Sequence, residues 1–328
     1  MKCLVTGGAG FIGSHLVDRL LADGNQVKVI DNLSTGRLEN LSSCRDNKNF
    51  TLIKADVSDF DSIKAYFCDV DKVFHVAALA DIVPSIVKPL DYYKANVSGT
   101  ASILEAARLA KVKKLVYAAS SSCYGIPDSF PTPENEEIRL EYPYALTKYL
   151  GEQIVLHWGR VYKLPVVSLR LFNVYGPRAR TAGTYGAVFG VFLTQKLNHK
   201  PFTVVGNGEQ ARDFIFVKDV VEAFILASES GCDGEIMNVG SGKTHSINYL
   251  VQLLGGEVVH IPRRPGEPDT TFADITKIRR LLNWNAKISF EEGVNIMLEN
   301  INYWRDAPVW TTENISEATR DWFKYLTK

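Results

Sequence analysis

The sequence predicts a doubly wound α/β fold, with a parallel sheet wrapped by helices and a smaller C-terminal α/β substrate domain. Three observations predict it. Short apolar runs alternate with helix-length segments through the first half of the chain. A glycine-rich turn stands where the first run meets the first helix. Beyond about residue 175 the alternation gives way to short pieces marked by Gly and Pro, such as Gly206-Asn-Gly208, Gly240-Ser-Gly242 and Pro262-Arg-Arg-Pro-Gly266.

The runs Cys3–Val5, Val27–Ile30, Thr51–Ile53, Val73–Val76, Leu115–Ala118 and Val166–Leu169 are too apolar to alternate, as strands buried on both faces should be. Between them, Phe11–Ala22 and Tyr92–Ala110 carry apolar residues at spacings of three and four, the signature of helices lying on a sheet. This divides the chain into a first domain over residues 1–175 and a second over 176–328, with part of 209–230 returning to the first. The tail from Tyr303 contains Trp304, Trp310 and Trp322, which are expected to pack it down, with a binding role as the other reading, and Ser316 is expected to cap a last helix.

Composition narrows the function. A formal net charge of zero gives no field of one sign to attract nucleic acid or an anionic membrane. No apolar run approaches the ~18 to 20 residues that span a bilayer. The five cysteines, Cys3, Cys44, Cys68, Cys123 and Cys232, are scattered and show no metal-ligand spacing. Reduced thiols in a cytoplasmic protein are expected, with no metal.

The turn Thr6-Gly-Gly-Ala-Gly-Phe-Ile-Gly13 places glycines at 7, 10 and 13. Glycine suits a tight turn, close approach of backbone to a pyrophosphate, and close helix packing. The helix that follows offers its N-terminal N–H groups and dipole to the phosphates. Asp31 ends the second strand, where a carboxylate can accept from ribose hydroxyls and would repel a 2′-phosphate. The expected cofactor is therefore NAD, in a Rossmann-type domain. Asp56 and Val57, after the third strand, are placed at the adenine, with helix capping as the other reading of Asp56.

Tyr144 and Lys148 stand four apart at the start of a helical segment, so their side chains share a face. An ammonium near a phenol favours phenolate and would make Tyr144 a base. Ser120, in Ser120-Ser-Ser-Cys-Tyr-Gly125 at the end of the fifth strand, is the third candidate.

The glycine turn, the Ser120 segment, the Tyr144/Lys148 pair and Leu169-Arg-Leu-Phe-Asn-Val-Tyr-Gly-Pro177 together resemble the extended short-chain dehydrogenase/reductase family, in its nucleotide-sugar epimerase and dehydratase branch. The resemblance implies that Tyr144 removes a proton from the sugar O4 while hydride passes from C4 to NAD, and that Ser120 hydrogen-bonds the same hydroxyl. The cofactor set that goes with it adds Phe11, Ile12, Asn32, Ser34 and Gly36 on the pyrophosphate and ribose side. Ala77, Ala78 and Asn96 complete it, along with Tyr144 and Lys148. Substrate contacts are implied for Ser85, Ser120 and Ser122, and for Asn173, Arg212, Arg264, Glu267 and Thr271. Arginine suits the diphosphate because its fork donates two parallel charge-assisted bonds.

Departures from the family pattern narrow the reaction. Dehydratases of this kind place an Asp-Glu pair after the Ser120 position, and uronic-acid decarboxylases a Glu at the Ser122 position; this chain has Ser121 and Ser122. The resemblance therefore implies a 4-epimerase acting on a UDP-hexose or UDP-N-acetylhexosamine. A 4-dehydrogenase or ketoreductase, a 4,6-dehydratase and a non-catalytic NAD-binding protein are the alternatives. Val205 stands where many uridine-binding relatives carry an aromatic, leaving the base open. Ala80 and Leu171 replace a polar and an aromatic contact of some relatives. The family's dimer bundle would involve Leu90–Ala110 and Tyr142–Tyr162, with Leu104, Leu150 and Val155 compatible with a homodimer interface.

Overall fold

The structure, a computed structural model, describes residues 1–179 and 187–327. The six expected strands form as β1 Lys2–Thr6, β2 Gln26–Asp31, β3 Phe50–Lys54, β4 Lys72–His75, β5 Lys114–Ser120 and β6 Val166–Leu171. A seventh, Glu235–Val239, adds to the free edge of β6. Across the sheet the order runs from this seventh strand through β6, β5, β4, β1 and β2 to β3, with every pair parallel. The chain thus begins in the middle, winds to one edge, and returns to place β4 beside β1. That reversal opens a crevice at the carboxyl ends of β1 and β4, where ligands of such sheets bind.

β4 and β6 are buried along their whole length, and β5 up to its final Ser120. This matches their unbroken apolar sequence. The seventh strand escaped the sequence because Glu235 and Asn238 interrupt it. Asn238 is fully buried, yet its amide accepts from the Tyr124 hydroxyl at 2.7 Å and donates to the Thr132 carbonyl at 2.9 Å. A buried polar side chain so paired costs little.

The helix Phe11–Ala22 lies where expected. The segment expected to be one helix over Tyr92–Ala110 is instead an α-helical piece Pro89–Tyr93, one π turn Lys94–Ser98, and an α-helix Gly99–Leu109. Such turns often mark functional sites. The helix Pro143–Tyr162 starts with proline in its first turn and stops at Lys163 in the left-handed region, φ 57°. The helix Val217–Glu229 packs on Phe11–Ala22 and on β5 and β6.

A second apolar cluster gathers Tyr175, Phe189, Phe192, Phe202, Phe214 and Phe216 with Trp304. It lies among the helices Val188–Leu197, Ile247–Leu254 and Phe290–Glu299 and the parallel strand pairs Phe202–Val205 with Val258–Ile261 and Asn173–Tyr175 with Phe214–Phe216.

The tail corrects one expectation. It forms two helices, Thr312–Ala318 and Arg320–Leu326, and Ser316 lies inside the first. Thr311 is the cap, its hydroxyl accepting from Asn314 N while the Asn314 side chain accepts from Thr311 N. Two of the residues read as compatible with a dimer face, Leu104 and Val155, are fully buried in the subunit core. No helix among the described residues is long and apolar enough to cross a membrane.

Candidate active site

A cleft of about 970 Å³ opens over the carboxyl ends of the central strands. One wall is the glycine turn with the loops after β2, β3 and β4. The floor carries Ser120 and Tyr144, and the far wall holds Asn173, Arg212, Arg264, Glu267 and Thr271.

Local geometry explains the glycines. Gly7 has φ +70°, and a Cβ there would come within 2.7 Å of Ala77 Cα on the neighbouring crossover. A Cβ on Gly13 would drive into the Gly7 carbonyl oxygen. Gly10 precedes the helix Phe11–Ala22 without any side-chain cap; its own N–H donates to Gly7 O at 3.1 Å, and Ser14 N donates to Gly10 O at 3.1 Å. The N–H groups of Phe11, Ile12 and Gly13 between them, all on the cleft wall, suit an anion as donors.

Asp31 has a role that its position alone did not reveal. Its carboxylate accepts from Ala9 N at 2.9 Å and Leu33 N at 2.8 Å, tying the glycine turn to the loop after β2. Burial pushes its pKa up, opposed by those two backbone bonds. Gly36 lets that loop close over it, since a Cβ there would meet Asp31 Oδ1 at 2.9 Å. Asn32 accepts from Ser34 N and donates to Asp56 Oδ2. Asp56 also accepts from Ser58 N and Oγ, and Asp59, not Asp56, caps the helix Phe60–Ile63. Phe11, Ile12, Ser34, Val57, Ala77 and Ala78 are all on the cleft wall.

At the chemical end, the Tyr144 phenol stands beside Ser120, whose side chain lowers a pKa that burial has raised. Ser120 Oγ also lies 2.8 Å from Ser122 Oγ and accepts from Ser122 N at 3.2 Å. Lys148 is buried beneath this surface rather than on the cleft wall, with Nζ 4.3 Å from the centroid of the Tyr117 ring. Burial pulls its pKa down to about 7, with Glu152 opposing.

Asn96 and Ser85 are also behind the wall. Asn96 occupies the π turn, and its amide accepts from Leu79 N at 2.8 Å and donates to Leu79 O and Thr147 Oγ1 at 3.0 Å. It fixes the loop after β4 against the helix that bears Tyr144. Ser85 is fully buried and donates to Ile82 O.

On the far wall, Arg212 Nη2 donates to Glu267 Oε1 at 2.9 Å, and Arg264 Nη1 lies 3.7 Å from Glu267 Oε2. One carboxylate thus holds two guanidinium groups at the cleft, a cradle suited to phosphate oxygens. Thr271 Oγ1 donates to Asn173 Oδ1 at 2.7 Å and accepts from Asp213 N, so it orients the Asn173 amide. Val205, Ala80 and Leu171 line the cleft as well.

Several wall residues were not anticipated. Tyr142 stacks on Tyr144 with centroids 6.4 Å apart and planes within 5°. Tyr303 donates to Asn40 Oδ1 at 2.9 Å, and the Arg37 guanidinium lies 5.2 Å from its ring centroid. Trp304, Trp310 and Trp322 also face the cleft. Tyr303, Trp310 and Trp322 gave no periodic signal of this, because their contacts join segments far apart in the chain. Among the described residues no cluster of three His, Cys, Asp or Glu side chains is arranged to hold a metal.

Residues 4–297 match the family model described as GDP-mannose 4,6 dehydratase. A UDP-glucose 4-epimerase of Mycolicibacterium smegmatis is 38% identical over 304 residues, covering 90% of this chain and 96% of that protein. Among solved structures, a UDP-N-acetylglucosamine 4-epimerase from Methanobrevibacter ruminantium M1, in complex with UDP-N-acetylmuramic acid, superposes with a TM-score of 0.87 at 36% identity. The superposition covers 92% of this chain and 98% of that one. The UDP-glucose 4-epimerase of Thermus thermophilus in complex with NAD gives 0.83 at 34% identity, covering 92% and 99%. The chain belongs to the extended short-chain dehydrogenase/reductase family, in its nucleotide-sugar branch.

Proposed function

We propose that this protein is an NAD-dependent nucleotide-sugar 4-epimerase, acting on a UDP-hexose or UDP-N-acetylhexosamine. The observation that carries the reading is the placing of Ser120 beside Tyr144 on the cleft floor, between a glycine cradle on one side and the Arg212–Glu267–Arg264 cluster on the other. The named activities of the similar epimerases support it.

The residues fit NAD. The cradle leaves no room for a Cβ at Gly13 or Gly7, and the free N–H groups of the first helical turn suit a pyrophosphate. Asp31 faces the cleft with a carboxylate that suits ribose hydroxyls and disfavours a 2′-phosphate. The Thermus thermophilus relative was solved with NAD. When bound, NAD supplies the hydride acceptor at the sugar C4 and, on the return, the donor.

In this reading Tyr144 takes the O4 proton as C4 is oxidised and gives it back when C4 is reduced. Ser120 holds the phenol and the O4 oxygen in line. Lys148, one turn along the same helix face, favours phenolate while it carries its proton, and burial has brought its pKa down to about 7. Arg212 and Arg264 hold the diphosphate, Asn173 and Thr271 border the sugar, and Glu267 sets the spacing of the two arginines. Because Ser121 and Ser122 follow Ser120, the site has no adjacent carboxyl group to drive loss of the C6 hydroxyl, which disfavours dehydration.

The chain divides on this reading into the NAD-binding domain 1–175, joined by part of 209–230 and by the strand Glu235–Val239, and a mainly substrate-binding domain over the rest of 176–328. It acts in the cytoplasm as a homodimer. Five free cysteines are consistent with the first point. Exposed Leu90, Tyr93, Leu109, Leu146 and Tyr162 on the two long helical segments support the second.

Replacing Tyr144 by Phe tests the assignment. Turnover should fall by roughly 10²- to 10⁴-fold with NAD still bound; undiminished turnover would remove Tyr144 from the mechanism.

A further inference from the structure

The family match ends at residue 297, yet the chain beyond it builds part of the cleft. Near its start, Tyr303 reaches the cofactor side. Its hydroxyl donates to Asn40, whose own amide donates to Ala9 O in the glycine turn at 2.9 Å. Trp310 O then accepts from Gln195 Nε2 at 2.8 Å, anchoring the middle of the segment to the second apolar cluster.

The last helix, Arg320–Leu326, packs on the helix Ile82–Val87 and brings Trp322 to the chemical end. Trp322 is 3% exposed and its indole N–H donates to Pro265 O at 2.7 Å. Its ring lies 6.4 Å from Tyr142 and 5.5 Å from the Arg264 guanidinium, centroid to centroid and centroid to carbon. Tyr142 in turn stacks on Tyr144. The aromatic series Trp322–Tyr142–Tyr144 therefore connects the end of the chain with the proposed proton-transfer residue, while Arg264 connects it with the diphosphate cradle.

We propose that the segment Tyr303–Leu326 is a strap that closes the cleft, and that Trp322 is a specificity and positioning residue packing against the sugar end of the bound nucleotide sugar. The inference rests on the epimerase reading for the identity of the ligand. Its physical basis is independent: an indole held by one hydrogen bond and one cation–π contact lines the cleft beside a basic cradle. A pyranose has apolar C–H faces that suit such a wall. In a reaction that oxidises and then reduces the same carbon, a closed wall also keeps the oxidised sugar in place between the two steps.

The test uses the full chain and three variants, Trp322→Ala, Trp322→Phe and a truncation after Thr311 that retains Trp304 and Trp310. The probes are UDP-glucose, UDP-N-acetylglucosamine and UDP alone. Binding is read by titration, and Trp322 emission by comparison with Trp322→Phe. The strap predicts that Trp322→Ala and the truncation weaken both UDP-sugars by roughly 10-fold or more, in the range of lost aromatic contacts. UDP should be weakened much less, and NAD content should be unchanged. Trp322→Phe should restore most of the affinity. With turnover measured, KM should rise more than kcat falls, and free keto-sugar should accumulate. Equal affinity of wild type and Trp322→Ala for all three probes overturns the proposal, as does equal loss for UDP and the UDP-sugars. Because binding is read without turnover, a wild type that binds UDP-sugars but does not epimerise them sinks the epimerase reading and leaves the strap to its own result.

Discussion

Lys148 Nζ lies 4.3 Å from the centroid of the Tyr117 ring, with the ammonium buried under the floor of the cleft. Its burial is a cost to the fold. The pKa falls to about 7 from an ordinary value of 10.5, and Glu152 offsets only part of that. Below about pH 7 both folded and unfolded chains carry the proton, and the whole penalty is present. As pH rises from about 7 toward about 10 the folded chain is neutral while the unfolded chain is charged, and the penalty fades. Replacing Lys148 by Met should therefore abolish turnover and raise Tm by roughly 2 to 5 °C at about pH 6, with the gain shrinking at about pH 9. Thermal melts at the two pH values check it. A variant that melts lower at both would show that the ammonium stabilises the fold.

Gly13 is the least replaceable residue of the cradle, because a Cβ there meets the Gly7 carbonyl itself rather than a movable side chain. Gly13→Ala should purify with little NAD and bind added NAD at least roughly 10-fold more weakly, a change of about 1.4 kcal/mol or more. Cofactor content and calorimetric titration measure this. Normal NAD binding would show that the turn can shift without harm.

Asp31 holds the loop and, on the proposed reading, the cofactor ribose. Asp31→Asn keeps the shape but can accept with only one of its two atoms, so either Ala9 N or Leu33 N loses its acceptor. An unpaired buried donor costs about 1 to 3 kcal/mol, which predicts a lower Tm. It also predicts weaker NAD binding and a smaller preference over NADP, read by titrating both cofactors. Unchanged preference would take the carboxylate out of cofactor selection.

Glu152 and Arg170 form a buried pair behind the site, with Arg170 Nη2 donating to Glu152 Oε1 at 2.6 Å and Nε to Oε2 at 3.0 Å. Arg170 also donates to the Tyr124 hydroxyl at 2.9 Å, so the pair braces the turn that follows Ser120. Glu152→Gln leaves the guanidinium without its counter-charge. Breaking such a pair costs roughly 3 to 5 kcal/mol, a fall in Tm of roughly 5 to 10 °C. A fall of less than about 2 °C would mean that the pair contributes little to the fold.

The first half of the fold was legible because its signals are local. β1, the glycines at 7, 10 and 13, the following helix and Asp31 lie within one short stretch, and each is fixed by the geometry of its neighbours. The Ser120 and Tyr144 positions were legible for the same reason, one ending a strand and the other opening a helix. The seventh strand was not, since Asn238 is tolerated there only by partners at residues 124 and 132. Nor was the distinction between wall and support. Asn96, Ser85 and Lys148 match the family pattern, but the structure buries their side chains behind the cleft surface. Tyr303 and Trp322 reach the site through tertiary contacts that no spacing records.

The central claim is tested most directly by incubating the purified protein with UDP-glucose, and separately with UDP-N-acetylglucosamine, without added cofactor, and following the sugar by NMR. The expected result is the C4 epimer approaching equilibrium, with no net formation of reduced cofactor. Unchanged substrate across both sugars, or a 4-keto or 4-keto-6-deoxy sugar as the final product, would contradict it.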